Sequence, residues 1–234
     1  MQLIKKYDAD LVQWDLTFVP ELGCTDIIEN HKKSNYTELV LDRDRTLNKL
    51  FEAKNMDVRF NHIWTATHCV WTKLYKKELF EGVRFPVGKE YEDEMILHKL
   101  LYKVHKAVFI NCRFSNYRLR AGSTVHTMPL KGKVDKVDAM MDRHALMKST
   151  NNRELIMGSV HDALIGIFNI YLCARRENNK EAKKLLTSYA RQLLRDSSRY
   201  MKITDNVLAV MLCVCSPLFV LLYGGFRKTQ EIKL

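Results

Sequence analysis

The sequence predicts a mixed α/β domain with a few strands, followed by an all-helical C-terminal region. Three observations predict it. Residues 10–19 alternate apolar and polar side chains, which is the period of a strand. Two further strand-like runs, at residues 107–110 and 113–119, follow a helical stripe. From about Val134 onward, apolar residues recur only at helical spacing.

The composition indicates a globular and basic protein. With 234 residues and 47% hydrophobic content the chain can bury a core, and it is too apolar for disorder. A net charge of +11 favours an anionic partner: nucleic acid, phospholipid or a phosphorylated small molecule. The six cysteines are scattered, and only Cys213 and Cys215 lie close, too close for the usual zinc pair. We expect free thiols in a cytosolic protein, since residues 1–6 do not read as a signal peptide.

The N-terminal elements follow from local patterns. Residues 1–7 read as the last turns of a helix whose start is absent, and the strand after them is predicted to be half-buried. Residues 37–51 suit a helix that contains Asp42-Arg43-Asp44. Such a carboxylate pair binds metal when it ends a strand. Because arginine flanks each aspartate in a helical pattern, we expect a solvated charged face instead.

The next elements are predicted as helix, loop, helix and strands. Residues 70–80 suit a short helix that Thr72 caps and Gly82 closes. Pro and Gly predict a loop at residues 84–89. Glu92 opens a helix. The apolar stripe of that helix is Leu97, Leu100, Leu101 and Val104.

Four short motifs occur in an order typical of one protein family. The chain reads Val-Trp-Thr-Lys-Leu-Tyr from Val70, Arg-Phe-Pro-Val-Gly from Arg84, Tyr-Glu-Asp-Glu from Tyr91 and Tyr-Arg-Leu-Arg-Ala-Gly-Ser from Tyr117. In this order and spacing it resembles the second half of bacterial family 2 glycosyltransferases. Thr72 stands where the family usually has Asn, but threonine can also cap the helix.

The resemblance implies a partial GT-A-type, Rossmann-like domain at residues 1–130 and a helical region at residues 131–234. Residues 5–12 resemble the passage that follows the family's metal-binding Asp-x-Asp. We therefore expect a truncated chain that carries the acceptor side, lacks the N-terminal nucleotide-binding half and is inactive alone. The complete enzyme is expected to use a divalent metal, Mg or Mn, whose usual ligands are not in this sequence. His126 is a weak metal candidate.

The implied reaction is an inverting transfer from a nucleotide-sugar donor to a glycan or lipid-linked acceptor, in cell-surface polysaccharide synthesis. Inversion needs a base, which in the family is the aspartate of the acidic pair, here Asp93. A helix N-terminus would hold this carboxylate ionised and lower its basicity. The alternative is that Glu92, Asp93 and Glu94 only cap and solvate the helix. Glu92 and Glu94, with Trp71 and Lys73, are expected at the acceptor site.

The donor diphosphate is expected near the loop after the last strand. Arg120 and Ser123 lie in this glycine-bearing loop, where a guanidinium and a hydroxyl could close over phosphate. Arg118 would share a face with Arg120 in an extended strand. The alternative is that both arginines lie on the surface of an edge strand.

The C-terminal segment at residues 207–223 is almost unbroken apolar sequence, interrupted by Pro217. Three interpretations stay open: a packed helix pair broken at Ser216-Pro217, an element seated in the membrane interface, and a true span. In the second, Arg227, Lys228 and the basic helix at residues 183–199 would face anionic lipid. This would place the protein peripherally on the cytoplasmic face of the inner membrane.

Two competing functions belong to other classes. A basic helical binding module for nucleic acid or a protein partner is favoured by the +11 charge and the Lys/Arg-rich helices. The sequence contains no recognised nucleic-acid motif and no aromatic-basic stacking pattern, so we expect no nucleic-acid partner. The other is a structural remnant that pairs with a partner enzyme.

Overall fold

The computed structural model describes residues 1–19, 36–52, 67–118, 120, 122–123 and 127–231; at residues 52 and 226–231 it describes the backbone alone. The chain divides into two compact units, Met1–Met128 and Pro129–Leu234. The first unit contains a four-stranded mixed sheet and the second is helical. The predicted fold class, mixed α/β followed by a helical region, is confirmed.

The sheet of the first unit has the strand order β2-β4-β1-β3. The two central strands, β1 and β4, are parallel, and each edge strand pairs antiparallel with its neighbour. The carboxyl ends of β1 and β4 therefore lie at the same edge of the sheet. The strand bounds are β1 Leu11–Val19, β2 Glu38–Asp42, β3 Lys73–Tyr75 and β4 Lys106–Arg118.

Among the described residues this unit has three helices, and the first two contact strands of the sheet. The first contributes Leu3 and Ile4 to a small cluster with Val12, Val108 and Ile110 of the central strands. The second and third helices contact each other, and leucines of both are buried. The apolar stripe predicted for the third helix is fully buried: Leu97, Leu100, Leu101 and Val104. Their bounds are α1 Gln2–Tyr7, α2 Arg43–Glu52 and α3 Glu92–Tyr102.

Strand β1 confirms the predicted strand, but it is not half-buried. Gln13 and Asp15, polar members of the alternating pattern at residues 10–19, are only 3% and 7% exposed. Gln13 Nε2 donates to Thr67 Oγ1 at 3.0 Å, and Asp15 Oδ1 accepts from the backbone N of Leu16 at 2.8 Å. The prediction was wrong because β1 is a central strand, and strands of a sheet that is covered on both faces bury both sides.

Two predicted helices of the first unit are also wrong in part. The predicted helix at residues 37–51 begins as strand β2, which pairs with β4, and only then continues as α2. The predicted helix at residues 70–80 consists of two 3₁₀ turns, Val70–Thr72 and Lys77–Phe80, on either side of β3. In both cases pairing with a distant strand overrides the local helical pattern.

The two strand-like runs predicted at residues 107–110 and 113–119 are one strand, β4. Its register against β1 shifts around Asp15, which lies opposite Arg113. A bulge of this kind bends a strand without ending it, so the polar interruption in the sequence marks the bulge. Leu119 lies outside the described residues.

The second unit is helical throughout its described length, as predicted. One apolar cluster joins the helices through side chains such as Leu164, Phe168, Leu186, Leu212 and Phe219. Its helices are α4 Leu130–Ser149, α5 Arg153–Arg176, α6 Lys180–Ser197, α7 Ile203–Val214 and α8 Ser216–Glu231, with a 3₁₀ turn at Ser198–Tyr200.

The apolar C-terminal segment forms a packed helix pair, which was the first of its three interpretations. The break falls at Cys215, and Pro217 is the second residue of α8, where proline is tolerated. Among the described helices, α5 is long and apolar enough to cross a membrane by length and composition. However, 61% of its most apolar window is buried inside the protein, as expected for the central helix of a bundle.

Candidate active site

The best-supported site lies at the start of α3. The acidic run that opens this helix has three different environments: Glu92 is exposed, Asp93 is partly buried and Glu94 is 7% exposed. Asp93 Oδ1 accepts a hydrogen bond from the backbone N of Glu94 at 2.8 Å. All three residues lie in the first turn of the helix, as the sequence predicts, and the Asp93 carboxylate is held by the backbone of that turn.

The electrostatics of Asp93 differ from the expectation of lowered basicity. Burial, and then the neighbouring carboxylates of Glu94 and Glu92, raise the pKa of Asp93 above the usual aspartate value. Backbone N–H groups of the first turn act in the other direction and are outweighed. The helix N-terminus therefore positions this carboxylate, whereas desolvation makes it more basic than an exposed aspartate.

Tyr91 precedes this helix in a strained conformation. Its backbone adopts φ 54° and ψ 40°, the left-handed region, and its carbonyl accepts the bond from the backbone N of Met95 at 3.3 Å. A non-glycine residue in this region costs roughly 1–2 kcal/mol, and such strain concentrates at functional sites. Burial, followed by the charges of Glu94 and Asp93, raises the pKa of the Tyr91 hydroxyl.

Lys73 lies beneath this cluster and is 6% exposed. Its ammonium donates to the backbone oxygens of Thr67 at 2.9 Å and Cys69 at 2.6 Å, and to Thr72 Oγ1 at 3.3 Å. Burial lowers the pKa of Lys73 to about 7, although the Asp93 carboxylate and the Cys69 thiol favour its charged form. The ammonium is therefore engaged inside the protein, in a position that organises the chain before β3.

Trp71 is half-exposed and stacks on Tyr117 of β4. The ring centroids are 6.2 Å apart with an interplanar angle of 20°, and 43% of Trp71 remains exposed. Phe18 of β1 meets the edge of Tyr117 at 5.4 Å. Because Tyr117 also acts electrostatically on Tyr91, this aromatic group lies beside the acidic start of α3.

The predicted donor-side residues lie at the end of β4 and beyond it. Arg118 is the last residue of the strand, opposite Val19, and both Arg118 and Arg120 are exposed. Strand β2 pairs only with residues 106–110 of β4, and the described pairing at Arg118 is with β1 alone, so the surface alternative stays open for Arg118. The backbone N of Ser123 donates to the Arg120 carbonyl at 3.1 Å, which closes a turn. Burial has the largest influence on the Asp93 pKa, and the groups that follow it are Glu94, Glu92 and the backbone of α3. His126 lies outside the described residues.

The described residues do not fit a divalent metal. Asp42 ends strand β2, contrary to the prediction, but its Oδ1 accepts from the backbone N of Arg45 at 2.9 Å. The Asp44 carboxylate accepts from Arg43 Nε at 3.0 Å. In the described part of the chain, no group of three or more His, Cys, Asp or Glu side chains is arranged so that it could hold a metal ion. The charged-face interpretation of Asp42 and Asp44 therefore agrees with their contacts.

Sequence reasoning missed the parts played by Tyr91, Tyr117 and Cys69. Both tyrosines lie inside motifs noted in the sequence, but nothing local predicts that one is strained and that the other supports Trp71. Thr72 was predicted as a helix cap; instead its hydroxyl donates to the carbonyl of Cys69 at 3.0 Å, because β3 follows where a helix was expected.

Comparison with known proteins gives two partial similarities. No protein-family model matches the chain. The chain is 33% identical to the glycosyltransferase GlyA of Streptococcus pneumoniae over 113 residues. This aligned segment covers 48% of this chain and 15% of GlyA. It is 44% identical to the glycosyltransferase GlyG of the same organism over 55 residues. This second segment covers 24% of this chain and 18% of GlyG. The chain is thus similar to parts of two glycosyltransferases and matches less than a fifth of the length of each.

Proposed function

We propose that this chain provides the acceptor side of an inverting, nucleotide-sugar-dependent glycosyltransferase of family 2, with a GT-A-type fold. The observation that carries the proposal is the environment of Asp93: a carboxylate in the first turn of α3, partly buried, with a raised pKa. Groups of this kind concentrate at catalytic sites. The similarity to parts of GlyA and GlyG supports the reaction class.

In the proposed reaction Asp93 acts as the general base. The acceptor hydroxyl oxygen attacks the anomeric carbon of the donor sugar, its proton passes to the Asp93 carboxylate, and the bond between that carbon and the nucleoside diphosphate oxygen breaks. A base works best when its pKa approaches the working pH. The desolvation that raises the Asp93 pKa therefore assists the proton transfer.

The acceptor is proposed to bind across Trp71 and the acidic start of α3. The apolar face of a sugar ring can pack on the exposed part of the Trp71 indole, which Tyr117 supports from the other side. Glu92 is exposed and can accept hydrogen bonds from sugar hydroxyls, whereas Glu94 is buried and Lys73 is engaged internally. We therefore assign Glu92 to acceptor contact and Glu94 and Lys73 to support.

The donor side of the proposal rests on charge. The exposed guanidinium groups of Arg118 and Arg120 and the hydroxyl of Ser123 suit a leaving diphosphate. A glycan or lipid-linked glycan of the cell surface is the proposed acceptor. A divalent ion, Mg or Mn, is part of the family expectation, but no step is assigned to it because the described residues do not fit one.

The substitution Asp93→Asn tests the proposal in the whole protein. We expect kcat to fall by about 10²–10⁴-fold with little change in the KM for the nucleotide-sugar, because the amide keeps the shape but cannot accept the proton. Transfer is measured by release of the nucleoside diphosphate.

The matched control is Glu78→Gln, which neutralises an exposed carboxylate on the 3₁₀ turn before α3. It should retain parental turnover. If Asp93→Asn turned over within about threefold of the parent, Asp93 would not be the base.

A further inference from the structure

One face of α7 and one face of α8 carry exposed apolar side chains. On α7 the members recur every three or four residues and are 48–83% exposed, and on α8 they are 40–71% exposed. The opposite faces of both helices are buried in the core cluster. We call these two exposed faces together the outer stripe; it consists of Ile203, Val207, Val210, Val214, Leu218, Leu221 and Leu222.

The outer stripe contains no charge. Between Ile203 and Gly225 the sequence has one ionisable acid or base among Asp, Glu, Lys, Arg and His, namely Asp205. Asp205 is buried, and its Oδ2 accepts a hydrogen bond from His161 Nδ1 at 2.7 Å. A helix face in contact with water normally carries charged side chains, and a contiguous apolar face usually marks a binding surface.

Basic side chains border the outer stripe. Arg191 of α6 donates from Nη2 to the carbonyl of Cys213 in α7 at 3.3 Å, so this face of α6 lies along α7. Lys184 and Arg195 are seven residues before and four residues after Arg191, which places them on the same helix face, and both are exposed. Lys202 directly precedes Ile203 and is also exposed.

The surrounding unit is strongly basic as well. Residues 129–234 contain 18 Lys and Arg against 10 Asp and Glu, a net charge of +8 of the chain's +11. Of the exposed acids of α6, Glu181 lies near the face that carries Lys184, Arg191 and Arg195, and Asp196 lies about a third of a turn from it, so three basic side chains of α6 face one acid there. The border of the stripe is therefore positive.

We propose that the outer stripe and its basic border seat the helical unit on the surface of a membrane rich in anionic phospholipid, with α7 and α8 lying in the plane of the interface. Apolar burial and attraction to anionic headgroups act together at such surfaces. Neither helix of the pair has the roughly 20 apolar residues that a span requires.

The side chains of the stripe favour lipid over a protein partner. Protein interfaces are enriched in Tyr, Trp, Met and Arg at their centres and make frequent hydrogen bonds. The outer stripe consists only of Ile, Val and Leu, which offer no hydrogen bond. The proposal is independent of the proposed transferase activity, because it concerns residues outside the α3 site.

Co-sedimentation of the full chain with lipid vesicles tests the proposal. We expect binding to phosphatidylcholine vesicles that contain about 30% phosphatidylglycerol, weak binding to phosphatidylcholine alone, and release in about 1 M salt, where charges are screened within about 3 Å. Replacing three residues of the outer stripe should lower partitioning of the protein into these vesicles at least about tenfold. Replacing three basic residues of its border should have an effect of the same size. The two triple variants are V207Q/V210Q/L221Q and K184Q/R191Q/R195Q.

Two matched control variants remove charged or apolar side chains outside the outer stripe and its basic border. K131Q/R175Q/R176Q removes three exposed charges from other parts of the helical unit, and L39Q/V87Q removes exposed apolar side chains from the first unit. Both should bind like the parent. Circular dichroism and the unfolding temperature confirm that each variant is folded.

Two outcomes would overturn the proposal. One is equal partitioning of the parent and the stripe variant. The other is that light scattering shows the parent to self-associate while it does not bind vesicles, and that the stripe variant is monomeric. The outer stripe would then be an interface between copies of this chain.

Discussion

Asp93 and Lys73 show how burial acts on opposite charges at one site. Burial raises the pKa of the Asp93 carboxyl and lowers the pKa of the Lys73 ammonium to about 7. In both cases it favours the neutral form, because a charged group loses solvation in the protein interior. The Cys69 thiol follows the same rule, and burial raises its pKa to about 12. The start of α3 is therefore a desolvated site.

The low pKa of Lys73 predicts a pH dependence of stability. An unfolded lysine titrates near pH 10.4, so between about pH 7 and 10 the unfolded chain binds more protons than the folded chain. The free energy of unfolding of the parent should therefore rise with pH in this window. The rise should exceed that of Lys73→Met by on the order of 1–3 kcal/mol, because methionine does not titrate.

Urea unfolding of both proteins at several pH values between 7 and 10 measures this difference. Lys73→Met is expected to be less stable in absolute terms, because the carbonyls of Thr67 and Cys69 lose their donor. Equal pH slopes for the two proteins would show that Lys73 titrates normally in the folded state.

At the scale of elements, a buried ion pair joins α4 to α5. Arg143 Nη1 lies 3.2 Å from Asp162 Oδ2, and both side chains are almost fully buried. Nearby, His144 contacts the hydroxyls of Ser159 at Nδ1 and Ser197 at Nε2, each at 2.8 Å, and burial lowers its pKa to about 4. The helices are thus held in register by polar contacts inside an apolar bundle.

Breaking this pair should destabilise the helical unit strongly. Arg143→Met leaves a buried carboxylate without its guanidinium, which typically costs about 3–5 kcal/mol. The double substitution R143M/D162L removes both charges and should recover most of the loss. Chemical unfolding measures both, with the exposed Lys131→Met of α4 as control. A single variant that loses less than about 1 kcal/mol would mean that the pair is not structurally important.

At the scale of the molecule, each of the two units has elements and buried apolar residues of its own. The core of the second unit joins α4 to α8 in one cluster within Pro129–Leu234. A unit with its own core is expected to fold independently. We therefore expect residues 129–234, produced alone, to be helical and to unfold in one cooperative transition.

Circular dichroism during thermal unfolding tests this expectation. Phe168→Ala in the same fragment provides a matched comparison, because this ring is fully buried and its removal should cost about 3–5 kcal/mol. If the fragment unfolded without a cooperative transition, or if Phe168→Ala left its unfolding temperature unchanged, the core would require the first unit.

The sequence predicted the start of α3 better than the elements around it. Asp93 was selected from a motif and lies at the predicted helix start, and its assignment as the base stays a prediction. The strand status of residues 38–42 and 73–75 was missed, because short segments become strands only when a neighbour offers hydrogen bonds. The support that Tyr117 gives Trp71 was missed because it joins residues 46 positions apart.

By itself, the amino-acid sequence determined the features that depend on local periodicity and composition. These are strand β1, the leucine stripe of α3, the helical character of the second unit and the basic charge. Only the tertiary structure decided which strands are central, which carboxylate is desolvated and which apolar face of α7–α8 the core leaves exposed. The physical reason is that pairing and burial depend on residues distant in the chain, whereas helical and strand periods are set by near neighbours.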